Sequence, residues 1–160
     1  MSGQEEMTHI SANGSVEMVD VSEKKPTVRV AEAGGTISLG SEVVRALRER
    51  ALPKGDALAA ARIAAIQAVK TAAIQIPLCH PVSIGGVRVD IQLGEVDVRV
   101  RCQVKGSERT GYEMEALSGV TAALLTVYDM CKALSREMEI GGVRLLHKSG
   151  GRSGEYRWQR

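Results

Sequence analysis

Two runs of alternating residues constrain the fold of this chain more than any other feature. Apolar residues occupy every second position over residues 87–93 and again over 96–104, and charged or polar residues lie between them. Gly94 and Glu95 separate the two runs. A period of two places one face of a strand against a core, and a pair of residues that begins with glycine is typical of a tight hairpin turn. The pattern predicts two antiparallel strands that are covered on one face.

Periodic segments on either side of this hairpin give the order of the other elements. Residues 27–39 suggest extended structure around a turn at Gly34-Gly35. Ser41 and Asp56 suit the N-caps of two helices, and Pro77 ends the second, because proline cannot continue a helix. The remaining pattern predicts helices over 41–50, from 56 to about 76 and over 113–138, a last strand over 143–146 and a candidate edge strand over 156–158.

Strand, helix, strand, strand, helix, strand is the order of the split βαβ, or ferredoxin-like, arrangement of the α+β class. It predicts a four-stranded antiparallel sheet with the helices packed on one face. A chain of 160 residues suits one core, so we expect a single domain over residues 18–160. Residues 1–17 are polar and lack periodicity, which predicts a disordered extension.

Composition excludes several classes of function. The net charge is only +2, and the three tyrosines and one tryptophan are scattered, which argues against a nucleic-acid partner. No run approaches the roughly 18 apolar residues of a membrane span. Three cysteines without C-x-x-C pairing argue against a disulfide framework or a zinc site and favour a reducing, cytoplasmic compartment. Phenylalanine is absent, so a core of small side chains would benefit from oligomerisation.

The segment over residues 76–81 reads IPLCHP and is bounded by two prolines. Proline fixes φ and removes a backbone donor, so this segment is stiff and extended. It presents Cys79 and His80 together, and His80 is the only histidine in a constrained setting, which argues against a catalytic metal site. His80 can serve as an acid, a base or a hydrogen-bond donor to a ligand. The alternative is a linker in which Cys79 is buried and His80 is solvated.

Charged residues mark both ends of the long predicted helix. Glu113 and Glu115 begin it, where carboxylates compensate the helix dipole, but their spacing directs them to different sides. Asp129 and Lys132 lie three positions apart near its far end and can form an ion pair. This pair is either an ordinary surface contact or, in a largely apolar helix, a desolvated pair in which the lysine pKa is lowered for acid–base chemistry.

Glu115 and Asp129 are 14 positions apart, which is about 21 Å along one unbroken helix. One small ligand cannot touch both within one subunit. If both serve one site, they come from different copies of the chain, and the site is shared across a subunit interface.

Two further basic features suggest contact with an anion. Residues 148–154 read KSGGRSG, a segment rich in cations and backbone donors that can close over a phosphate. Its alternative is a mobile loop before the last strand. Lys54, beside Gly55 at a helix start, is a further cation near an N-terminus that favours anions.

Six stretches of this sequence together resemble one protein family. They read MVDVS at 18–22, KGD at 54–56 with ARI at 61–63, IPLCHP at 76–81, EMEAL at 113–117, YDMCK at 128–132, and residues 145–154. In this order they are similar to the molybdenum-cofactor biosynthesis protein C family, the cyclic pyranopterin monophosphate synthases. The resemblance implies a ferredoxin-like fold and a homohexamer, a trimer of dimers, with active sites at subunit interfaces.

The resemblance also implies a lyase reaction without a cofactor. The substrate would be 3′,8-cyclo-7,8-dihydro-GTP from a partner radical GTP cyclase, and the products cyclic pyranopterin monophosphate and pyrophosphate. By resemblance, Asp129 and Lys132 are expected to be the catalytic acid and base, joined by Lys54. The residues that the resemblance assigns to substrate binding are Leu78, Cys79, His80, Glu113, Met114, Glu115 and Lys148. The alternative is a non-catalytic nucleotide-binding regulatory module of the same fold, which would explain the basic loop but not Asp129 beside Lys132.

Overall fold

An antiparallel β-sheet forms one layer of the molecule, and helices cover one of its faces. The computed structural model describes residues 14–159. Within that part of the chain the strands are β1 (Thr27–Ser38), β2 (Gly86–Leu93), β3 (Asp97–Glu108), β4 (Glu139–Ser149) and β5 (Tyr156–Arg157). The helices are α1 (Ser41–Arg48), α2 (Ala57–Lys70), α3 (Ala72–Gln75) and α4 (Glu113–Cys131).

The strand order is β2-β3-β1-β4-β5, and every neighbouring pair is antiparallel. The predicted α+β class is confirmed, but the described residues form five strands rather than four. The fifth strand exists because the chain returns along β4 after residues 150–155: Tyr156 lies opposite Lys148, and the Trp158 N–H donates to the Leu146 carbonyl at 2.9 Å. The Arg144 guanidinium also stacks over the Trp158 ring, 4.4 Å from its centroid.

The predicted hairpin of β2 and β3 is confirmed, but its loop is longer than two residues. A two-residue turn would pair Leu93 with Val96, whereas the structure pairs Leu93 with Val98. Val96 leaves the ladder because its carbonyl accepts hydrogen bonds from the N–H groups of Leu39 and Gly40, which follow β1. A slip of two residues keeps each side chain on its predicted face, and Cys102 is buried in the core as predicted.

The predicted turn at Gly34-Gly35 is wrong, because β1 passes through both glycines without a break. They allow other elements to approach closely. A Cβ on Gly35 would lie 3.0 Å from Val120 and Leu124 of α4, and one on Gly34 would lie 2.7 Å from Leu146. The absence of side chains here lets α4 lie close against the centre of the sheet.

The last strand is longer than predicted. β4 begins at Glu139 rather than at residue 143, because β1 pairs with it over nearly its whole length. The sequence pattern breaks at Gly141 and Gly142, and the latter has φ of 64°. The sheet accommodates these glycines as an irregularity in register opposite residues 34–36.

Helix boundaries follow the predictions in part. The Asp56 carboxylate caps α2 as predicted and accepts from the N–H groups of Leu58 and Ala59. Ser41 is not an N-cap: Gly40 holds that position, with φ of 79° and no capping side chain. Helix α4 ends at Cys131 instead of residue 138, since the chain must reverse to enter β4.

Charged side chains occupy the sheet face opposite the helices. Arg88, Asp90 and Arg101 are exposed there, and Arg101 lies 3.6 Å from the Glu32 carboxylate. This agrees with the charged face predicted from the hairpin. Of the predicted extension over residues 1–17, residues 1–13 lie outside the described part of the chain, so its disorder stays a prediction.

Candidate active site

The proline-bounded segment leaves α3 and forms one wall of a cavity at the N-terminal end of α4. Leu78, Cys79 and His80 are half-buried, and the Cys79 N–H donates to the Ile76 carbonyl at 3.1 Å. The cavity has a volume of about 410 Å³. Its lining includes these three residues together with Glu113 and Met114. The structure therefore brings the two predicted substrate-binding segments together.

Glu115 lies behind this wall and is almost completely buried, with 1% of its surface exposed. Its Oε1 accepts a hydrogen bond from the Cys79 thiol at 3.5 Å, and within the described residues its Oε2 has no partner. Burial raises the pKa of the Glu115 carboxyl. Burial and then the neighbouring Glu115 charge raise the pKa of the Cys79 thiol to about 11, so Cys79 is a thiol rather than a thiolate nucleophile at neutral pH.

The end of β4 contributes a lysine to the same end of the molecule. Lys148 Nζ lies 3.2 Å from the Glu113 carboxylate and donates to the Ser153 hydroxyl at 3.0 Å. The C-terminal loop and the start of α4 are thus joined by a partly buried ion pair. Lys148 belongs to the same group as the predicted substrate-binding residues of the helix start.

A second charged group lies at the opposite end of α4. Lys132 Nζ is 2.6 Å from Asp129 Oδ1, and Lys54 Nζ is 2.7 Å from Oδ2. Lys54 comes from the turn before α2, so the structure brings it to a pair from which it is 75 or more positions away in the sequence. The Lys132 hydrogen bond first, and then the Lys54 hydrogen bond, lower the pKa of the Asp129 carboxyl to about 2. Asp129 is therefore a carboxylate at neutral pH, held between two ammonium groups.

The desolvation expected for this pair does not occur within one subunit. The side chains of Lys54, Asp129 and Lys132 are 50%, 53% and 52% exposed. Water screens charges in such a position. A bound ligand or a second copy of the chain would have to cover the group for the low-dielectric chemistry predicted from the sequence.

One chain keeps the two groups apart. Helix α4 is unbroken from Glu113 to Cys131, so the rise between Glu115 and Asp129 is about 21 Å. The ten predicted site residues divide between the two ends of α4. Seven surround its N-terminal end, and Lys54, Asp129 and Lys132 lie at its C-terminal end.

Sequence reasoning from periodicity missed the N-terminal wall of the cavity. Val19, Val21 and Lys24 line it beside Cys79 and His80. Residues 18–26 form no helix or strand, so no periodicity could mark them. The MVDVS motif at 18–22 was the only sequence signal for this segment. The His147 imidazole lies 3.0 Å from the Glu155 carboxylate.

The part of the chain that the structure describes holds no cluster of three or more histidine, cysteine, aspartate or glutamate side chains suited to a metal ion. Among those same residues, no helix is long and apolar enough to cross a membrane.

The fold and the site together define a class of protein. It is a two-layer α+β protein with acidic and basic groups clustered at both ends of one helix. The chain belongs to the MoaC family, whose family model matches residues 18–151. This confirms the resemblance seen in the sequence motifs.

Curated relatives match over nearly the whole chain. A protein of Methylobacterium nodulans is 51% identical over 152 residues, which is 94% of this chain and 95% of the relative. One of Pelobacter propionicus is 47% identical over 151 residues, covering 93% and 94%. Both are named cyclic pyranopterin monophosphate synthase. A molybdenum cofactor biosynthesis bifunctional protein of Chlorobaculum tepidum is 47% identical over 148 residues, which is 47% of that protein.

Proposed function

We propose that this chain is a cyclic pyranopterin monophosphate synthase, a lyase of molybdenum cofactor biosynthesis. It converts 3′,8-cyclo-7,8-dihydro-GTP to cyclic pyranopterin monophosphate and releases pyrophosphate. The observation that carries the proposal is the identity of 46–51% to synthases over more than nine-tenths of the chain. The names of these relatives support the synthase over a regulatory nucleotide-binding module.

The charged group at the end of α4 suits the proton transfers of this reaction. Asp129 is ionised and accepts hydrogen bonds from Lys54 and Lys132, which fixes two ammonium groups 2.6–2.7 Å from its oxygens. Each ammonium can give a proton to a substrate atom and become a neutral amine, and the carboxylate holds both nitrogen atoms in position for this transfer. Asp129 and Lys132 are the acid–base residues of the proposal, with Lys54 beside them.

The group at the start of α4 suits recognition of the ring system. His80 offers an imidazole, and Glu113 and Glu115 offer acceptors for the N–H groups of a purine-derived ring. Glu115 lies behind the cavity wall with 1% of its surface exposed, so its part in this proposal comes from the family resemblance, and its Oε1 accepts the hydrogen bond of the Cys79 thiol. Leu78, Cys79 and Met114 form the apolar part of this subsite, and Lys148 holds Glu113 in position.

The proposal includes a shared active site in a homohexamer, a trimer of dimers. Both groups act on one substrate only if they come from two copies of the chain, because about 21 Å of helix separates them within one copy. The exposure of Asp129 and Lys132 supports the same arrangement, since a partner subunit would exclude water from them.

The finer fold class and the cellular setting belong to the proposal too. The order β2-β3-β1-β4 with helices on one face supports the ferredoxin-like arrangement, to which β5 adds an edge strand. We assign residues 18–160 to one catalytic domain. Three free cysteines support a cytoplasmic setting, where the radical GTP cyclase would supply the substrate.

The experiment that tests the proposal is incubation of the purified protein with the cyclised GTP intermediate. Wild-type protein should release pyrophosphate and form the cyclic phosphate product. We expect Lys132→Ala to reduce the rate by at least ~100-fold, since general acid–base groups contribute factors of about 10² to 10⁴. Its circular dichroism should remain unchanged, because Lys132 is half exposed.

Arg45→Ala is the matched control, because Arg45 is an exposed cation on α1 outside the site. Wild-type turnover by Lys132→Ala would contradict the role of Lys132. Binding of the intermediate without pyrophosphate release by wild-type protein would favour the regulatory module.

A further inference from the structure

The proline-bounded segment continues into β2 through residues 82–85, which form no helix or strand. Other elements must therefore fix this stretch of backbone. Ser83 lies in its middle, and both of its backbone polar groups have partners. Its N–H donates to the Glu108 carboxylate at 3.0 Å, and its carbonyl accepts from the Tyr112 hydroxyl at 2.8 Å. We refer to these two contacts as the Ser83 anchor; they hold the backbone between the end of β3 and the start of α4.

Tyr112 is completely buried, with 0% of its surface exposed, although it carries a polar hydroxyl. Burial raises the pKa of this hydroxyl, so it is protonated at neutral pH and can donate to the Ser83 carbonyl. Gly106 of β3 leaves the space that the hydroxyl occupies. A Cβ on Gly106 would overlap the Tyr112 hydroxyl and would lie 3.0 Å from the Ser83 carbonyl oxygen. This half of the Ser83 anchor therefore depends on a glycine at position 106.

Both oxygens of the Glu108 carboxylate accept hydrogen bonds from backbone N–H groups. Oε1 accepts from Ser83, and Oε2 accepts from Arg109 at 3.3 Å. The Ser83 hydrogen bond is the main cause that lowers the pKa of the Glu108 carboxyl. Glu108 is thus an ionised acceptor that fixes the Ser83 N–H from the opposite side to Tyr112.

The connection between β3 and α4 also contacts the other wall of the cavity at Cys79 and His80. The Arg109 Nε donates to the Lys24 carbonyl at 2.9 Å, and Lys24 lines that cavity. Thr110 and Gly111, which follow in the chain, line it as well. One connection of five residues, 108–112, therefore forms part of the cavity and is bonded to the segments on both sides of it.

His80 lies three positions before Ser83, and Pro81 between them restricts the backbone. On the other side, the Cys79 N–H donates to the Ile76 carbonyl at 3.1 Å. Hydrogen bonds to neighbouring parts of the chain thus fix the backbone before and after His80. Loss of the Ser83 anchor would leave only the first of these constraints.

We propose that Tyr112 and Glu108 are positioning residues for this cavity, and that they keep His80 at its wall by holding Ser83. Neither side chain lines the cavity, so both act through the segment rather than by contact with a ligand. The inference rests on the proposed function for the identity of the ligand, but the Ser83 anchor itself can be tested without turnover.

The test is the rate at which iodoacetamide alkylates each cysteine of the full-length protein, measured by mass spectrometry of its peptides. Cys79 is half-buried, whereas Cys102 and Cys131 are completely buried. Tyr112→Phe keeps the buried ring, so the variant should fold. It should be alkylated at Cys79 on the order of three to ten times faster than wild type, because one hydrogen bond no longer restrains the segment. Cys102 and Cys131 should stay unmodified.

The chain offers matched controls for both residues of the Ser83 anchor. Tyr128→Phe removes a hydroxyl that donates to the Arg136 carbonyl at 3.1 Å near the other end of α4, and it should leave the Cys79 rate unchanged. Glu108→Ala should accelerate alkylation of Cys79. Glu108→Gln retains an oxygen that can accept from the Ser83 N–H and should restore most of the wild-type rate.

Turnover of the cyclised intermediate gives the second measurement. Tyr112→Phe should raise KM on the order of three- to tenfold and change kcat little, because a smaller fraction of the protein has the arrangement that binds the ligand. A wild-type alkylation rate at Cys79 in both Tyr112→Phe and Glu108→Ala would overturn the proposal. Equal acceleration at all three cysteines would also overturn it, since general destabilisation exposes them together.

Faster alkylation of Cys79 alone, combined with a wild-type KM, would overturn the positioning role, because the segment would then move without effect on the site. Failure of the proposed function gives a different result. A wild-type protein that releases no pyrophosphate from the intermediate would refute the synthase, and the alkylation rates would still decide whether Tyr112 and Glu108 hold the segment.

Discussion

Glu115 is the residue whose surroundings differ most from what its side chain requires. A carboxyl group with 1% exposure normally has a cation or several donors beside it. Here the described residues offer one weak donor, the Cys79 thiol at 3.5 Å, and leave Oε2 without a partner. Both carboxylates at the start of α4 lie near the positive end of the helix dipole, but Glu113 also has Lys148 at 3.2 Å. The two carboxylates are two positions apart in the sequence, but their surroundings differ: Glu113 has a lysine beside it, whereas Glu115 is buried with one weak donor.

We predict that Glu115→Gln stabilises the protein without ligand at neutral pH. Burial raises the pKa of Glu115 in the folded state above its unfolded value. The stability that its protonated form contributes is present below the ordinary glutamate pKa of about 4.3 and is lost as pH rises through the folded pKa. The advantage of Gln over Glu should therefore grow with pH and reach about 1–3 kcal/mol, the usual cost of a buried unsatisfied polar group.

Urea unfolding of both proteins at a series of pH values measures this difference. Met114→Gln at the neighbouring exposed position is the control and should show no such pH dependence. A constant difference between Glu115→Gln and wild type across the series would mean that Glu115 is not buried as an uncompensated acid.

At the scale of elements, small residues decide how helix and sheet meet. Gly119 of α4 lies against Cys102 of β3 and Val69 of α2. Because Gly119 has no side chain, α4 can lie close to both the sheet and helix α2. Gly35 likewise lets β1 lie close to α4, because it has no side chain. With no phenylalanine in the sequence, the layers come close together through glycine, alanine and valine rather than through large rings. Close packing of this kind leaves no space for added atoms.

We predict that Gly119→Ala destabilises the protein even though alanine favours helices. The added Cβ would lie 2.7 Å from Cys102 Sγ and 3.0 Å from Val69 Cγ2. Overpacking costs about 1–3 kcal/mol, and the helix propensity of alanine offsets about 1 kcal/mol of that. Thermal unfolding should show a lower Tm than wild type.

Thr121→Ala, at an exposed position of the same helix, provides the comparison. A rise in Tm for Gly119→Ala would show that the packing between α4, α2 and β3 is looser than these distances indicate.

At the scale of the whole molecule, helix α4 acts as a spacer. It holds the group that we propose binds the ring at one end and the proposed acid–base group at the other, about 21 Å apart. In a two-fold dimer each subunit can contribute the start of its helix α4 to one site and the end of its helix α4 to the other. Such a dimer would have two sites, each built from both chains.

Mixing two inactive variants tests this arrangement. Glu115→Ala and Asp129→Ala homo-oligomers should both be inactive. After subunit exchange, half of randomly formed dimers contain one chain of each kind, and each has one intact site, so we expect about a quarter of wild-type activity. His80→Ala replaces Glu115→Ala if the latter does not fold.

Subunit exchange is verified separately by labelling the two variants with different fluorophores. Exchange without recovered activity would show that the site lies within one subunit. Mixing Asp129→Ala with Lys132→Ala is the negative control, since both changes affect the same end of α4 and no intact site can form.

The sequence by itself determined what depends on local periodicity and on residue type. The alternation of β2 and β3, the Asp56 cap, the presence of α4 and the α+β class follow from side-chain periods of two and 3.6, and the motifs identified the family. A local pattern cannot decide contacts between distant segments. Only the tertiary structure brought Lys54 to Asp129, carried β1 straight through Gly34 and Gly35, and moved the hairpin by two residues to free the Val96 carbonyl. It also brought residues 20–29 beside the loop after β4, although more than a hundred residues separate these two segments.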